Sequence, residues 1–427
     1  MREMKNSGVR WLGMIPKAWD LDKIVSLYSE RSTKVSDRDY PALSVTKQGI
    51  VPQLESAAKT DNGDNRKLIK KNDFVINSRS DRRGSCGISE YEGSCSLINI
   101  VLAPKNNMVN QYYNYLFKTE LFADEFYKWG NGIVDDLWST KWSSMKNIMV
   151  PFPPLEEQRI IADYLDTKCT QIDTIIAKEQ SVIEKLQEYK RAIITNAVVK
   201  GLDLTVEMVD SGIEWIDSIP NHWKIKRLIF SAYIRARLGW KGLKADEYTS
   251  EGHPFLSAVN IQNDKLVWED LNFINDNRYD ESPEIQLELG DLLLVKDGAG
   301  IGKCAVVDQL PYGTATTNSS LGVITPYPEL NSMYLYYFFE SAIFQNYISR
   351  IKNGMGVPHL TQGNLKNIMV VIPPYCEQEA IVAYLDKKCS NLDSIILKKQ
   401  SLINKLIEYK QSLIYEVVTG KKEVPHV

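Results

Sequence analysis

The sequence predicts an α+β protein in which two globular α/β blocks alternate with two long helices that pair as an antiparallel coiled coil. The stretch 153–190 returns without a gap as 373–410, and 22 of the 38 aligned residues are identical. A shorter segment, 7–19, returns at 211–223. The chain is therefore expected to consist of two copies of one structural unit. The residues between the repeated segments differ, so each copy is expected to carry its own variable block.

Each copy of the long stretch has apolar residues at alternating steps of four and three, which is the pattern of a coiled coil. In the first copy this seam runs from Leu165 to Ala197, with Glu179 and Lys190 as polar interruptions. The Pro-Pro pair followed by Glu156 and Glu157 marks the predicted start of the helix, since negative charge is favoured at a helix N-terminus. The stretch from Asp166 to Lys200 alone would span about 50 Å at 1.5 Å per residue. Since both copies have matching seams, they are expected to pack on each other about a pseudo-twofold axis.

The repeats predict four segments along the chain. The short repeat shares Ser-Gly, Ile-Pro and two tryptophans between its copies. We call it the clasp, and its turn residues and tryptophans favour a structural role over a binding role. The predicted segments are block 1 with its clasp at 1–152, helix 1 at 153–202, block 2 with its clasp at 203–372, and helix 2 at 373–427.

Composition excludes several classes of protein. No apolar run approaches the ~20 residues of a membrane span, and the chain does not open on a signal peptide. The six cysteines form no Cys-x-x-Cys pair, and the four histidines have no metal-ligand spacing. Gly298–Lys303 lacks the first glycine and the final Ser or Thr of a phosphate loop. We therefore expect a reduced, cytoplasmic protein without catalytic residues, metal or bound cofactor.

Polar loops follow corresponding apolar stretches in the two blocks, near residues 77 and 296. The stretch from Lys59 to Arg83 contains eight basic and four acidic residues. Arginines on such a loop suit guanine edges or phosphates, although a solvated basic face is the alternative interpretation. The candidate DNA contacts are Lys67, Lys70, Ser78, Arg79, Arg82 and Arg83 in block 1, and Arg237, Lys241, Lys244, Lys296, Lys303, Asn318, Lys352 and His359 in block 2.

The ordered combination resembles the specificity subunit of type I restriction–modification systems over the whole chain. It consists of two unlike blocks, two near-copy helices, the clasp with its Ser-Gly-x-x-Trp, Ile-Pro and Trp, and helix starts with Pro-Pro, Glu-Gln and Leu-Asp. The resemblance implies that each block is a target recognition domain reading one half of a split, asymmetric site in double-stranded DNA. The chain itself would be non-catalytic.

The resemblance also implies partners. Two methyltransferase subunits would bind the helices and use S-adenosylmethionine. Restriction subunits, an ATP-driven translocase and nuclease, would join that core. The helix residues expected to serve as spacer or subunit contacts are Glu157, Gln158, Tyr164, Leu165, Ile183, Tyr189, Glu377, Gln378, Tyr384, Leu385, Ile403 and Tyr409.

Two other functions remain open from the residues alone. One is a structural adaptor whose two blocks bind protein rather than DNA. The other is a stand-alone enzyme with an unrecognised site, against which the missing methyltransferase motif argues. The resemblance also has local departures, since Tyr375-Cys376 stands where the first copy has Leu155-Glu156.

Overall fold

The structure is a computed structural model that describes residues 2–53, 63–132, 138–236, 247–262, 265–298, 300–353 and 359–425. The chain forms two compact units. Unit 1 comprises Met1–Gln180 with Gln400–Val427, and unit 2 comprises Ser181–Lys399. Each unit thus holds one clasp, one block and a part of both long helices.

The elements are given in chain order. Up to the first long helix they are β1 (Met4–Asn6), β2 (Met14–Pro16), β3 (Asp20–Lys23), α1 (Ile24–Leu27), β4 (Tyr28–Glu30), β5 (Lys34–Val35), β6 (Leu43–Thr46), β7 (Gly49–Pro52), β8 (Arg66–Ile69), β9 (Phe74–Asn77), β10 (Cys86–Ile88), β11 (Gly93–Cys95), β12 (Asn99–Pro104), α2 (Asn110–Phe117), α3 (Glu120–Lys128), α4 (Trp142–Met145), β13 (Met149–Phe152) and α5 (Leu155–Lys200).

The second half follows a similar order. Its elements are β14 (Met208–Ile213), β15 (Ile216–Pro220), β16 (Lys224–Arg227), β17 (Ala232–Arg235), β18 (His253–Leu256), β19 (Ile261–Gln262), β20 (Lys265–Leu266), β21 (Asn272–Ile274), α6 (Asp276–Asp280), β22 (Leu292–Val295), β23 (Cys304–Val306), β24 (Thr316–Thr317), β25 (Leu321–Pro326), α7 (Ser332–Glu340), α8 (Ala342–Asn353), α9 (Gln362–Lys366), β26 (Met369–Ile372) and α10 (Tyr375–Val418).

Both blocks are built on the same four-stranded antiparallel sheet. Its order is β10-β9-β12-β4 in block 1 and β23-β22-β25-β17 in block 2. The central strands β9 and β22 are buried along their whole length, as their continuous apolar sequences predict. Before each strand lies a buried aspartate, Asp73 or Asp291, paired at 2.6 Å with an arginine of the edge strand region, Arg31 or Arg235. The frame of the two blocks is therefore the same.

The second sheet of each block is where the blocks differ. In block 1 it has the order β11-β8-β5, and all its pairs are antiparallel. In block 2 it has the order β21-β18-β24, and β18 pairs with β24 in parallel. The variable sequence of the blocks thus reaches beyond the loops into this smaller sheet.

An aromatic helix joins each block to a long helix of its own unit. In unit 1 the hydroxyl of Tyr112 on α2 donates to the carbonyl of Val418 at 2.7 Å. In unit 2 the hydroxyl of Tyr334 on α7 donates to the carbonyl of Val198 at 3.0 Å. Each tyrosine is fully buried, so its hydroxyl needs such a partner. The end of one long helix is thereby bonded to the block.

The Glu-Gln pair near the start of each long helix joins the helix to the clasp and the block. Glu157 accepts a hydrogen bond from the indole of Trp19 at 2.8 Å, and Gln158 accepts one from the backbone N–H of Val109 at 2.9 Å. The Gln158 amide also donates to the carbonyl of Pro153 at 2.8 Å. Four contacts thus meet within two residues of one helical turn, counting the ion pair between Glu157 and Arg2 at 2.6 Å.

The second long helix repeats these contacts. Glu377 accepts from the indole of Trp223 at 2.9 Å. Gln378 accepts from the backbone N–H of Asn331 at 2.8 Å and donates to the carbonyl of Pro373 at 2.9 Å. Both glutamines are fully buried. We call each set, with its tryptophan, the helix-start clamp.

Ion pairs within each unit show that the long helices run antiparallel. In unit 1, Lys410 near the end of α10 contacts Asp173 in the first half of α5 at 2.7 Å. In unit 2, Lys190 near the end of α5 contacts Asp393 in the first half of α10 at 2.8 Å. The two pairs are copies of each other, since both partners are shifted by 220 residues. The predicted fold class is confirmed.

The first long helix begins where the sequence predicts, directly after the Pro-Pro pair and beside Glu156 and Glu157. It has 46 residues and runs from Leu155 to Lys200. Its first turns pack against the core of block 1 through Ile161 and Ala162.

We expect Gln158→Ala to lower the free energy of unfolding by about 2 kcal/mol, because it leaves a buried N–H and a buried carbonyl without partners. The measurement is the urea midpoint of the full chain followed by circular dichroism. Glu156→Ala, two residues away and exposed, is the matched control and should change the stability by less than about 0.5 kcal/mol. Equal effects of the two substitutions would contradict the role of the clamp.

Candidate nucleic-acid interface

Each block brings two separate loops together at the same place. The loop after the central strand meets the residues that precede the short helix α4 or α9. In block 1 the N–H of Thr140 donates to the carbonyl of Ser78 at 3.0 Å, and Arg79 forms a β-bridge with Ser139. In block 2 the N–H of Leu360 donates to the carbonyl of Lys296 at 2.8 Å, and Asp297 forms a β-bridge with His359. We call this arrangement the loop pair.

The backbone of the loop pair is shared, whereas its side chains differ in charge and shape. Residue by residue, Ser78 and Arg79 correspond to Lys296 and Asp297, and Ser139 corresponds to His359. Hydrogen bonds between main-chain atoms do not depend on the side chains they carry. Two blocks can therefore present different chemistry from one geometry.

In block 1 the loop pair forms one wall of a cleft of about 580 Å³, here called the Arg79 cleft. Four cationic side chains line it, and Glu30 is the one carboxylate among the described lining residues. The other side chains that line the cleft are uncharged. The cations are Lys67, Arg79, Lys141 and Lys146. This excess of positive charge suits phosphate groups.

The predicted DNA contacts of block 1 fall into two groups. Lys67, Ser78 and Arg79 meet in the cleft. The ammonium group of Lys67 donates to the carbonyl of Asn99 at 2.8 Å, which fixes its position. Arg79 is half-buried, and the hydrogen bond from its N–H to the side chain of Asn77 at 3.1 Å holds its backbone.

The other predicted residues of block 1 lie outside the cleft lining. Lys70 is exposed at the end of β8. Arg82 is also exposed and lies 3.5 Å from Asp81. Arg83 is exposed and forms an ion pair with Asp124 of α3. All three residues are thus available to solvent, and the two arginines each have an acidic neighbour.

In block 2 the predicted residues Lys296 and His359 meet through one carboxylate. The ammonium group of Lys296 donates to Asp297 at 2.7 Å, and the imidazole of His359 bonds to the other oxygen of Asp297. Asn318 lies on a neighbouring turn, where its side chain accepts from the N–H of Ser320 at 3.0 Å. Lys303 is exposed beside β23.

The other four predicted residues of block 2 lie wholly or partly outside the described residues. Arg237, Lys241 and Lys244 lie outside the described residues. Lys352 belongs to the last turn of α8, but its side chain is also outside what the structure describes.

Sequence reasoning missed the second member of the loop pair. Ser139, Lys141, Trp142 and Lys146 line the Arg79 cleft, although they lie about 60 residues after Arg79 in the chain. One signal could have found them. They immediately precede or begin the identical Lys-Asn-Ile-Met-Val sequences at 146–150 and 366–370, just as Arg79 follows a matched strand.

The predicted helix residues have three different environments. The clamp residues Glu157, Gln158, Glu377 and Gln378 bond within the chain, as described above. Four of the predicted residues are buried in the seam, namely Leu165, Leu385, Ile183 and Ile403. Tyr164 is partly covered, and Tyr384 is exposed by 37%. Tyr189 and Tyr409 are exposed by 57% and 51%.

These two tyrosines belong to a regular exposed stripe. With the buried Cys169 and Cys389 as heptad position a, apolar residues recur at position g, every seventh residue. They are exposed by 37% to 57%. In an antiparallel pair the g positions of both helices lie on one side, so each unit has a flank of three. The unit 1 flank is Ile175, Leu402 and Tyr409, and the unit 2 flank is Val182, Tyr189 and Ile395.

Three of the buried cysteines, Cys86, Cys95 and Cys389, are not poised as nucleophiles. Burial raises the pKa of Cys86 to about 12 and that of Cys95 and Cys389 to about 11, so these thiols stay protonated at neutral pH. No group of three His, Cys, Asp or Glu side chains in the described ranges could hold a metal ion. In the same ranges no helix is both long and apolar enough to cross a membrane.

Comparison with known proteins identifies the family. A family model described as type I restriction modification DNA specificity domain matches residues 29–185 and again residues 239–406. The chain is 25% identical over 341 residues to the type I restriction enzyme MjaVIII specificity subunit of Methanocaldococcus jannaschii, covering 78% of this chain and 76% of that protein. It is 24% identical over 336 residues to the EcoKI specificity subunit of Escherichia coli K12, covering 77% and 70%.

Two solved structures share the fold. One, from work on complex assembly and conformational transition of the type I R-M system, has a TM-score of 0.73 at 14% identity and covers 96% of this chain and 99% of that one. The HsdS subunit from Thermoanaerobacter tengcongensis has a TM-score of 0.52 at 15% identity and covers 96% and 98%. The resemblance seen in the sequence is confirmed. Because the family model matches most of the chain, once in each half, the protein belongs to the type I restriction–modification DNA specificity family.

Proposed function

We propose that this chain is the non-catalytic specificity subunit of a cytoplasmic type I restriction–modification complex. Its two blocks, within 1–152 and 203–372, act as target recognition domains that read the two halves of a split, asymmetric site in double-stranded DNA. The observation that carries the proposal is the loop pair, which has one backbone geometry and two sets of side chains. Its relatives are named as specificity subunits of type I restriction enzymes.

The side chains of the two loop pairs suit different bases. Arg79 in block 1 offers a forked donor, which matches the two acceptors of guanine in the major groove. In block 2 the Asp297 carboxylate accepts hydrogen bonds from Lys296 and His359. A carboxylate suits the amino group of cytosine and repels phosphate. The two half-sites are therefore expected to differ in sequence.

The alternative function is an adaptor whose blocks bind protein. The cationic Arg79 cleft favours DNA, because a phosphate backbone carries a dense negative charge. Retention of the full chain on duplex DNA separates the two functions. The affinity for DNA should fall steeply as the salt concentration rises, because binding to phosphates releases counterions. Retention that does not depend on salt, or none at all, would support the adaptor.

We expect Arg79→Ala to lower the affinity for the target by about 1–3 kcal/mol and to relax specificity in one half-site only. Lys70→Ala is the matched control, since Lys70 is exposed and lies outside the cleft lining. It should weaken binding to all sequences alike. The measurement is competition binding against duplexes altered in either half-site. Equal and sequence-independent losses would return Arg79 to the role of a general basic residue.

Each apolar flank on the long helices is proposed to bind one methyltransferase subunit. Exposed aliphatic and aromatic side chains repeating every seven residues present a stripe into which helices of a partner can pack. Restriction subunits would then join that core, and S-adenosylmethionine and ATP would be bound by the partners.

Leu402→Glu with Tyr409→Glu should remove the methyltransferase subunit from unit 1, because a carboxylate cannot be buried in an apolar contact without a large desolvation cost. Native mass spectrometry should show one bound subunit instead of two. Adding Val182→Glu and Tyr189→Glu should remove the second. Ser401→Glu, an exposed residue of the same helix outside the flank, is the control. Unchanged stoichiometry in the fourfold variant would contradict this assignment.

The long helices are proposed to set the gap between the half-sites. Inserting one heptad into both α5 and α10 preserves their seams and adds about 10 Å at 1.5 Å per residue. The unspecified gap should then grow by about three base pairs at 3.4 Å each. Mapping the methylated sites in cells that carry the variant measures it. A gap of unchanged length would exclude the spacer role.

A further inference from the structure

A turn with two apolar residues at its apex stands at the rim of the Arg79 cleft. It joins β11 to β12 and is closed by a hydrogen bond from the N–H of Asn99 to the carbonyl of Ser96 at 3.0 Å. Its central residues, Leu97 and Ile98, are exposed by 40% and 39% and line the cleft. The centre of a turn usually holds Gly, Pro, Asn, Asp or Ser. Turn geometry therefore does not explain why two branched aliphatic side chains are exposed to water at this position.

The corresponding turn of block 2 shows that the fold does not require them. It is closed by a hydrogen bond from the N–H of Leu321 to the carbonyl of Asn318 at 3.3 Å and leads into β25, as the first turn leads into β12. Its central residues are Ser319 and Ser320. The hydroxyl of Ser320 donates to the side chain of Asn318, which gives this turn the usual polar chemistry. The apolar pair is thus particular to block 1.

The surroundings of the pair indicate what covers it. The cleft beside it carries Lys67, Arg79, Lys141 and Lys146, against Glu30. A cationic wall next to an apolar tip matches the two parts of a nucleic acid, since phosphates pair with cations and bases stack on apolar groups. An apolar docking site for protein would instead be expected with a mixed or neutral rim.

We propose that Leu97 and Ile98 form a wedge that inserts at one base step of the half-site read by block 1 and unstacks it. Inserted aliphatic side chains kink duplex DNA in this way, and the ease of kinking depends on the base step. The wedge would thus add specificity at a step that receives no hydrogen bond. Block 2, with two serines in the same turn, leaves its half-site stacked. This inference rests on the proposed DNA-reading function.

The test uses the full chain alone, so that no methyltransferase contributes to distortion of a base. Duplexes of the mapped target carry 2-aminopurine at successive positions of both half-sites. Its fluorescence is quenched in a stack and rises when the stack opens. With the wild type we expect a severalfold rise at one step, or two adjacent positions, of the block 1 half-site and none in the other half-site.

Replacing the apex with that of block 2, Leu97→Ser with Ile98→Ser, should abolish the rise while the same target is still preferred. Val25→Ser, which removes a similarly exposed aliphatic group of block 1 outside the cleft lining, is the control and should keep the rise. Thermal melting confirms that both variants are folded. Both substitutions lie at exposed positions, where a change usually affects stability by less than about 0.5 kcal/mol.

Two results would overturn the inference. Target binding by the wild type with flat fluorescence at every position excludes a wedge and leaves the proposed function intact. A rise that survives the double substitution assigns the distortion to other residues. Failure of the wild type to prefer any duplex would instead overturn the proposed function itself.

Discussion

The contact on which the rest of the structure depends is the Glu-Gln pair at the start of each long helix. In one helical turn, Glu157 holds the tryptophan of the clasp and Gln158 holds the block. The oxygen and the nitrogen of the Gln158 carboxamide both bond where water is excluded, so a lost bond there would leave buried polar atoms unpaired. The direction in which the helix leaves its block is thereby fixed before the coiled-coil seam begins.

Two charged residues in the seam determine how the long helices are aligned. A lysine stands at a seam position in each helix, Lys190 and Lys410, where an apolar residue would pack better. Each is bonded to an aspartate of the other helix in its own unit. Such pairs contribute little net stability, since desolvation offsets most of the attraction. Their effect is on register, because any slip of the helices would leave a half-buried ammonium group without its carboxylate.

Most of the fold could be predicted from the repeat, because a near-copy at a fixed offset must repeat its structure. The seam likewise predicted the pairing of the helices. The start of α5 was predicted by the Pro-Pro pair and the two glutamates that follow it. The candidate site was harder. Arg79 and Lys296 were predicted as DNA contacts because each follows an apolar strand. Lys141 and Trp142 were not, since only tertiary hydrogen bonds bring them to the same cleft. Arg83 was also predicted as a DNA contact, and the structure places it in an ion pair with Asp124 of α3.

The helix-start clamp also bears on how such a protein can change its target. Gln158 and Gln378 meet their blocks through backbone N–H and carbonyl groups, at Val109, Asn331 and Glu329, and bond to the prolines before each helix. Every amino acid other than proline supplies these same two groups. At the clamp, therefore, the scaffold holds a block by its chain path, whereas the aromatic helix bonds through the side chain of Tyr112 or Tyr334. A foreign block that follows the same path and keeps that tyrosine could be fitted as a cassette, giving a new DNA specificity while the assembly surfaces stay as they are.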